Sequence, residues 1–135
     1  MQVTPSDAAY AAGLIDGEGS VLLTRLSGGE YRAPVVSMPS TTRELTDYMH
    51  ATFGGHVVFR KARRPRWSDA WVWNIRSNAC LTFLDIIFPY MRENRKRARA
   101  ELLLTEYKTV TKRNGKYSEC DIARKRAFED AFMSI

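Results

Sequence analysis

Two carboxylates close to the N-terminus, Asp16 and Glu18, have the residue types and spacing best suited to chemistry. Small and apolar residues precede them over 8–15, and Gly17 and Gly19 then bracket Glu18. This pattern predicts a helix that ends sharply, because glycine takes positive φ without penalty. A helix C-terminus carries partial negative charge, so two acids are poorly placed there unless a cation lies nearby. Carboxylate and helix-end carbonyl oxygens are ligands that Mg²⁺ prefers, so the stretch predicts a divalent-cation site.

Basic residues are concentrated in two other segments of the 135-residue chain, whose formal net charge is +6. Residues 60–66 contain five basic residues and no acidic one, and residues 92–99 contain five basic residues and one acidic. Either cluster alone is also compatible with a solvated charged face. Two such clusters together indicate a polyanionic partner, and nucleic acid is the simplest.

Composition and length indicate one globular domain over residues 1–135. The hydrophobic content is 44%, which favours a folded core over disorder. No apolar run approaches the ~20 residues of a membrane span, and the first residues do not resemble a signal peptide. We therefore expect a soluble, intracellular protein of the cytoplasm or an organelle matrix, with no membrane partner.

Hydrophobic periodicity predicts an α+β fold in the order α-β-β-α-β-β-α, followed by a helical tail. The predicted helices are 7–16, 41–53, 77–88, 95–110 and 118–132, and the predicted strands are 20–26, 31–38, 56–61 and 70–76. We expect N-caps at Ser6 or Asp7 and at Ser77, and a capping box over 41–44. Pro34 suggests that its strand lies at an edge or contains a bulge.

Small residues line the first predicted helix, 7–16, and allow a second helix to approach closely. Ala9 and Gly13 stand four residues apart and therefore share one face. Two partners remain open at this point: the core of the same domain, or the same helix of a second copy of the chain.

The segment 11–19, Ala-Ala-Gly-Leu-Ile-Asp-Gly-Glu-Gly, resembles the signature of the LAGLIDADG homing endonucleases at six of nine positions. Four further features are similar to that family: the element order, the Phe-Gly-Gly helix stop at 53–55, the Trp-x-Trp strand at 71–73 and the segment 88–91 before a basic helix. The resemblance covers about residues 7–107 as the core and leaves about 108–135 as a C-terminal helical extension. It implies the homing endonuclease core with an antiparallel four-stranded DNA-binding sheet.

The resemblance also implies an activity. A chain with one copy of the motif is expected to form a homodimer through helix 7–16. The dimer is expected to act as a sequence-specific double-strand DNA endonuclease on a long pseudo-palindromic site. Such an enzyme belongs to an intron or a similar mobile element. The Glu18 carboxylate and the Gly17 carbonyl are the implied ligands of Mg²⁺ or Mn²⁺, whereas Ca²⁺ is expected to bind without supporting cleavage. Asp16 is expected to accept backbone hydrogen bonds at the turn.

The sequence departs from the family pattern at Asn94, where a catalytic lysine is expected. Arg95 or Lys96 then becomes the candidate basic partner of the scissile phosphate, with phosphate anchoring or simple solvation as the alternatives. Ser37 and Ser40 are candidates for the polar group that the family carries on the preceding strand.

A sheet with one face on helices leaves the other face free to lie along the major groove. The candidate base-reading residues on this face are Ser20, Thr24, Arg25, Arg32, Arg60, Asn74 and Arg76. Lys61, Arg63, Arg64 and Arg66 are expected to hold phosphates, and Trp67 to stack or to pack. Strand register decides whether Thr24 or Arg25 faces outward.

Two other functions remain compatible with the same fold. One is an RNA-binding maturase that assists splicing of an intron RNA, which the missing lysine favours. The other is a DNA-binding regulator that does not cleave, against which the acid at position 18 argues.

Overall fold

Four antiparallel strands form one sheet, and the helices pack against one of its faces. The structure, a computed structural model, describes residues 2–135. The helices are α1 (Pro5–Glu18), α2 (Arg43–Phe53), α3 (Ser77–Ile87), α4 (Asn94–Glu106) and α5 (Glu119–Met133), and the strands are β1 (Ser20–Arg25), β2 (Arg32–Ser40), β3 (His56–Arg60) and β4 (Ala70–Arg76). The spatial order is β1-β2-β4-β3. The predicted α+β class and element order are confirmed.

Alternate strand residues build the core between the sheet and the helices. Val36, Met38 and Trp73 are fully buried there. The indole N–H of Trp73 donates to the carbonyl of Gly54, 2.8 Å away, at the end of α2. A Cβ on Gly55, whose φ is +79°, would lie 2.5 Å from a β4 carbonyl oxygen. The helix stop therefore requires glycine for both backbone angle and space.

The expected edge position of Pro34 is only partly right, because β2 is a central strand. It pairs with β1 over 32–37 and with β4 over 35–40. Pro34 and Pro39 each lie where β2 has a neighbour on one side only. A residue without an N–H is tolerated at such positions because it removes no ladder bond on the unpaired side.

Three predicted helix starts differ in the structure. α1 begins at Pro5, and its N-cap is Thr4 instead of Ser6 or Asp7. The Thr4 hydroxyl accepts from the Asp7 N–H at 3.1 Å and completes a capping box. Ser77 is the first residue of α3 and not its cap, with φ +58°. The capping box expected over 41–44 does not form, since the Thr42 side chain makes no cap bond.

The end of α1 uses glycine for a different reason from the one predicted. The helix continues to Glu18, and neither Gly17 nor Gly19 has positive φ. A Cβ on Gly19 would lie 2.8 Å from Ile15 Cδ1 and 2.9 Å from Ile15 Cα. Close approach to the preceding turn, and not left-handed backbone, therefore explains the glycine that ends the motif.

Within residues 2–135, no helix combines the length and the apolar character that crossing a bilayer requires.

Candidate active site and nucleic-acid interface

The tip of α1, defined as Gly17 and Glu18, presents oxygen atoms without donors. The Glu18 side chain is exposed, and no group in residues 2–135 donates a hydrogen bond to its carboxylate or to the Gly17 carbonyl. Free carboxylate and carbonyl oxygens match the donor set of Mg²⁺. No group of three or more His, Cys, Asp or Glu residues that could hold a metal ion occurs in the described chain. The tip therefore fits a divalent cation in ligand type but offers too few ligands within one chain.

Asp16 directly precedes the tip, and its carboxylate, unlike that of Glu18, is hydrogen-bonded within the described chain. Its Oδ2 accepts the backbone N–H of Arg92 at 2.8 Å, and its Oδ1 is buried without a partner. This bond fastens α1 to the segment that leads into α4. Asp16 thus accepts a backbone hydrogen bond, but the donor lies in a segment distant in sequence and not at the turn where the sequence predicts such bonds.

Lys96 is the basic residue that reaches the end of α1. Its ammonium donates to the carbonyl oxygens of Ile15 (3.0 Å) and Asp16 (2.7 Å). A cation bonded to the last carbonyls of a helix offsets the negative end of the helix dipole. The carbonyl of Gly17 is left as the next acceptor in line.

Arg95, the other basic candidate, points elsewhere. Its Nε donates to the carbonyl of Ile135 at 2.8 Å, so it ties α4 to the end of α5. Glu93 caps α4 by accepting from the N–H groups of Lys96 and Arg95. The bond from the Lys96 N–H is the main reason why the pKa of Glu93 lies below its usual value. The structure therefore brings Lys96 to the carbonyls that directly precede the tip, whereas Arg95 bonds Ile135.

Register creates a polar row across the open face of the sheet, which is the face opposite the helices. Ser20, Ser37, Asn74 and His56 are aligned from β1 through β2 and β4 to β3. Because side chains alternate between faces, the neighbouring open-face positions are Leu22, Thr24, Ala33, Val35, Pro39, Val58, Arg60, Ala70, Val72 and Arg76. The register thus places Ser20, Thr24, Arg60, Asn74 and Arg76 together as predicted candidates of one surface.

Arg25 and Arg32 lie on the opposite face, so the outward orientation predicted for them is not found. They pair with each other in the β1–β2 register, in phase with the core residues of both strands. Arg25 Nε donates to the Glu30 carbonyl at 3.3 Å, and Arg32 Nη1 donates to the Leu23 carbonyl at 3.3 Å. Period-2 alternation selects Thr24 as the open-face residue.

The loop between β3 and β4, residues 61–69, carries exposed cations. The acids in the described chain form no ion pair with Lys61, Arg63, Arg64 or Arg66. The Arg64 guanidinium lies 5.1 Å from the centre of the Trp67 ring, which is 56% exposed. One recess is lined by Glu18, Ser40 and Ala70, so the base of this loop adjoins the tip.

Comparison with solved structures identifies the fold, although the sequence matches no protein-family model and no curated protein. The homing endonuclease I-CvuI in complex with its target in the presence of Ca superposes with a TM-score of 0.67 and 16% identity, over 96% of this chain and 82% of that one. The I-LtrWI LAGLIDADG homing endonuclease bound to target DNA gives 0.57 and 15%, over 96% of this chain and 45% of that one.

The chain has the LAGLIDADG homing endonuclease fold. I-CvuI with the I-CreI target in the presence of Mg, in which the DNA is not cleaved, also superposes, with a TM-score of 0.55 and 14% identity over 96% of both chains. Within the LAGLIDADG fold, the nonapeptide 11–19 is the last part of α1 and the residue that follows it. The family resemblance of the sequence is confirmed at the level of fold.

Sequence reasoning missed three residues, one of which lies on the open face of the sheet and two of which are buried on α5. His56 was given no role, although the alternation of β3 would have grouped it with Arg60. Lys125 and Glu129 were not singled out, yet both are buried on the inner face of α5. Their spacing of four residues, in phase with Phe128 and Phe132, is the signal that could have found them.

Proposed function

We propose that the chain is one subunit of a homodimeric, divalent-metal-dependent DNA endonuclease that cuts both strands of a long, nearly two-fold-symmetric site. The single observation that carries the proposal is the exposed tip of α1, where the Glu18 carboxylate and the Gly17 carbonyl have no hydrogen-bond donor among residues 2–135. The LAGLIDADG fold, shared with enzymes described in complex with target DNA, supports the choice of substrate.

Glu18 and Gly17 would hold the metal, with Mg²⁺ or Mn²⁺ as the cofactor and Ca²⁺ as an ion that binds without supporting cleavage. A bound divalent cation supplies a hydroxide at neutral pH and stabilises charge on the phosphate and the leaving oxygen. Lys96 satisfies the two carbonyls that precede Gly17. It thereby fixes the end of the helix and leaves the two proposed ligands directed outward. Asp16 holds the same end through Arg92.

Dimer formation through α1 would supply the ligands that one chain lacks. Ala9, Gly13 and Gly17 lie at four-residue spacing on the exposed side of the helix. A Cβ at Gly13 or Gly17 would meet no atom of residues 2–135 within 4 Å, so the fold of one chain over these residues does not require glycine there. Close approach of a second α1 would use that absence of side chains and bring two tips together.

The open face of the sheet would read DNA bases in the major groove. Its polar row starts at Ser20, two positions beyond Glu18. The loop 61–69 carries exposed cations, and Ala70, where this loop joins β4, lines the recess that also contains Glu18. Hydrogen-bonding side chains on a flat sheet suit base edges, and the loop cations suit phosphates. Two such faces in a dimer would recognise two half-sites.

The test uses a library of duplexes with randomised sequence, incubated with the purified full chain in Mg²⁺, in Ca²⁺ or in excess chelator. We expect double-strand cleavage at a two-fold-symmetric consensus in Mg²⁺, binding of the same consensus in Ca²⁺, and no cleavage with chelator. Selective binding without cleavage in both Mg²⁺ and Mn²⁺ would instead favour a regulator. Preference for a structured intron RNA over every duplex would favour a maturase.

A further inference from the structure

One end of the sheet extends past its neighbours as a two-stranded ribbon. β4 pairs with β2 only from Val35 onward, so residues 32–34 of β2 and 23–25 of β1 pair with each other alone. Two-stranded hairpins are marginally stable without packing partners. Thr24, an open-face position, lies within this ribbon. Its placement therefore depends on whatever supports the ribbon from the helix side.

Three consecutive residues at the return arm of the ribbon each contact the C-terminal extension, residues 108–135. Glu30 pairs with Arg126 at 4.0 Å between carboxylate oxygen and guanidinium nitrogen. The Tyr31 ring stacks on Tyr117 with centroids 4.9 Å apart and planes at 28°. The Arg32 N–H donates to Glu129 Oε2 at 3.1 Å. The extension therefore holds the ribbon through an ion pair, an aromatic stack and a backbone hydrogen bond.

The Glu129 carboxylate that bonds the ribbon is buried, so it needs a partner in one defined position. Glu129 is 9% exposed and also faces the Arg32 guanidinium, with 3.9 Å between Oε1 and Nε. Lys125, 1% exposed, lies one turn earlier, donates to the Thr111 hydroxyl and places its Nζ 4.4 Å from the Tyr107 ring centre. Removing the Glu129 carboxylate takes away the acceptor of the Arg32 N–H and the ion-pair partner of the Arg32 guanidinium.

α5 is itself anchored, so its contacts fix the ribbon relative to the core. Phe128 and Phe132 are buried in the main hydrophobic cluster. At its far end the Ile135 carbonyl accepts from Arg95 Nε on α4. A side chain on α5 that bonds to the ribbon therefore holds the ribbon in a fixed position relative to the core.

We propose that the C-terminal extension is a positioning element for the ribbon, with Glu129 as its principal positioning residue, and that base discrimination at the outer end of each half-site depends on it. The inference rests on the proposed DNA-reading function of the open face. β1 starts beside the tip at Ser20 and rises ~3.3 Å per residue, so the ribbon lies up to about 17 Å farther along the strand. Base readout requires side chains held to within ~0.5 Å, which a free ribbon does not provide.

The experiment compares sequence preference position by position. Full-length protein and its Glu129→Ala variant select duplexes from the randomised library in Ca²⁺, and the bound pools are sequenced. We expect Glu129→Ala to lose most of the preference at the outermost positions of each half-site and to keep it at the inner positions. Glu129→Gln, which retains an acceptor for the Arg32 N–H, is expected to restore most of the outer preference. Glu119→Ala, an exposed acid at the start of the same helix, serves as the control.

Three outcomes overturn the proposal: unchanged preference, an equal loss at inner and outer positions, or no rescue by glutamine. If Glu129→Ala does not fold, the double variant Arg126→Ala, Tyr117→Leu removes the other two contacts of the extension with the return arm and is judged by the same profile. Absence of any duplex preference in the unmodified protein would refute the proposed function itself, which separates the two failures.

Discussion

The two ends of the sheet differ in whether their charged groups have partners within the protein. At the tip end, the Glu18 carboxylate and the cations of loop 61–69 form no ion pair within the described residues, and no group there donates to the Gly17 carbonyl. At the ribbon end, Arg32, Glu129 and Lys125 bond to one another or to neighbouring groups, and the two α5 residues are buried. Both ends belong to one sheet and are separated by a few residues of β1.

This difference separates groups that act on a ligand from groups that fix geometry. A charge without a partner in a folded chain is solvated at little cost only when exposed, and it then remains free to bind. A buried charge must be bonded, and once bonded it specifies one arrangement of the elements that it joins. We therefore assign chemistry and phosphate binding to the tip end and alignment to the ribbon end.

The largest effect is expected from Glu18→Gln at the tip. The change keeps the size of the side chain but removes the carboxylate charge that a divalent cation needs. Cleavage of the selected duplex in Mg²⁺ should fall by more than about 100-fold, the upper range for groups that only support a metal ligand. Binding in Ca²⁺, followed by gel shift, should remain within a few-fold. Glu44→Gln, an exposed acid on α2, should change neither, and a Glu18 variant that cuts at the normal rate refutes the assignment.

Gly13→Leu should prevent dimer formation without harming the monomer. A Cβ at this position would meet no atom of the described residues within 4 Å, but a leucine side chain would fill the space that a second α1 requires. Replacing a glycine inside a helix should raise the free energy of unfolding of the monomer by ~0.5–1 kcal/mol. Sedimentation and denaturant unfolding measure the two effects, with Ala51→Leu on the exposed side of α2 as the control. A dimer that persists in Gly13→Leu contradicts the proposed interface.

Local signals made most of the fold and the tip predictable. The nonapeptide 11–19, the glycine pair after α2 and the alternation of β4 each depend on neighbours in sequence, and each was found from them. The position of Lys96 could not be found in this way. Its ammonium reaches the end of α1 only because the chain between α3 and α4 turns through a short 3-10 helix at Phe88–Tyr90.

Register and tertiary burial account for what the sequence did not reveal. Thr24 and Arg25 exchange faces if β1 shifts by one residue, and only pairing with β2 decides between them. Lys125 and Glu129 have residue types that are usually exposed, so hydrophobic periodicity assigns them to solvent. Their burial becomes intelligible only when the ribbon, which is distant in sequence, supplies Arg32 and Tyr31 as partners.

Arg63→Ala in the loop and Arg126→Ala on α5 should differ in how binding depends on salt. If Arg63 holds a phosphate, its loss should reduce the slope of log affinity against log salt concentration by ~0.9. Arg126 lies on the helix side of the ribbon and pairs with Glu30, so its loss should leave the slope unchanged. Affinities measured by fluorescence anisotropy in Ca²⁺ over a range of salt concentrations give both slopes. Equal slopes for the two variants would contradict the division between the two ends.

The smallest effect concerns acid stability of the extension. Asp121 accepts from the Lys112 ammonium at 2.7 Å and from the Ser118 N–H at 2.9 Å. These bonds, the ammonium first, lower the pKa of Asp121 to about 2 in the folded chain. The ordinary carboxylate value is ~3.9, so the group contributes stability above pH ~4, and this contribution is lost as the pH falls toward 2.

We therefore expect Asp121→Asn to unfold at lower denaturant concentration than the unmodified chain at pH 7, and the difference between them to shrink as the pH falls from about 4 to about 2. Denaturant unfolding followed by tryptophan fluorescence measures both curves. Asp47→Asn, which removes an exposed ion pair with Arg43 on α2, controls for general loss of a negative charge. A difference that stays constant with pH would mean that Asp121 acts through packing alone. The bonded charges of the extension would then align the ribbon, but their ionisation would not contribute to the stability of the protein.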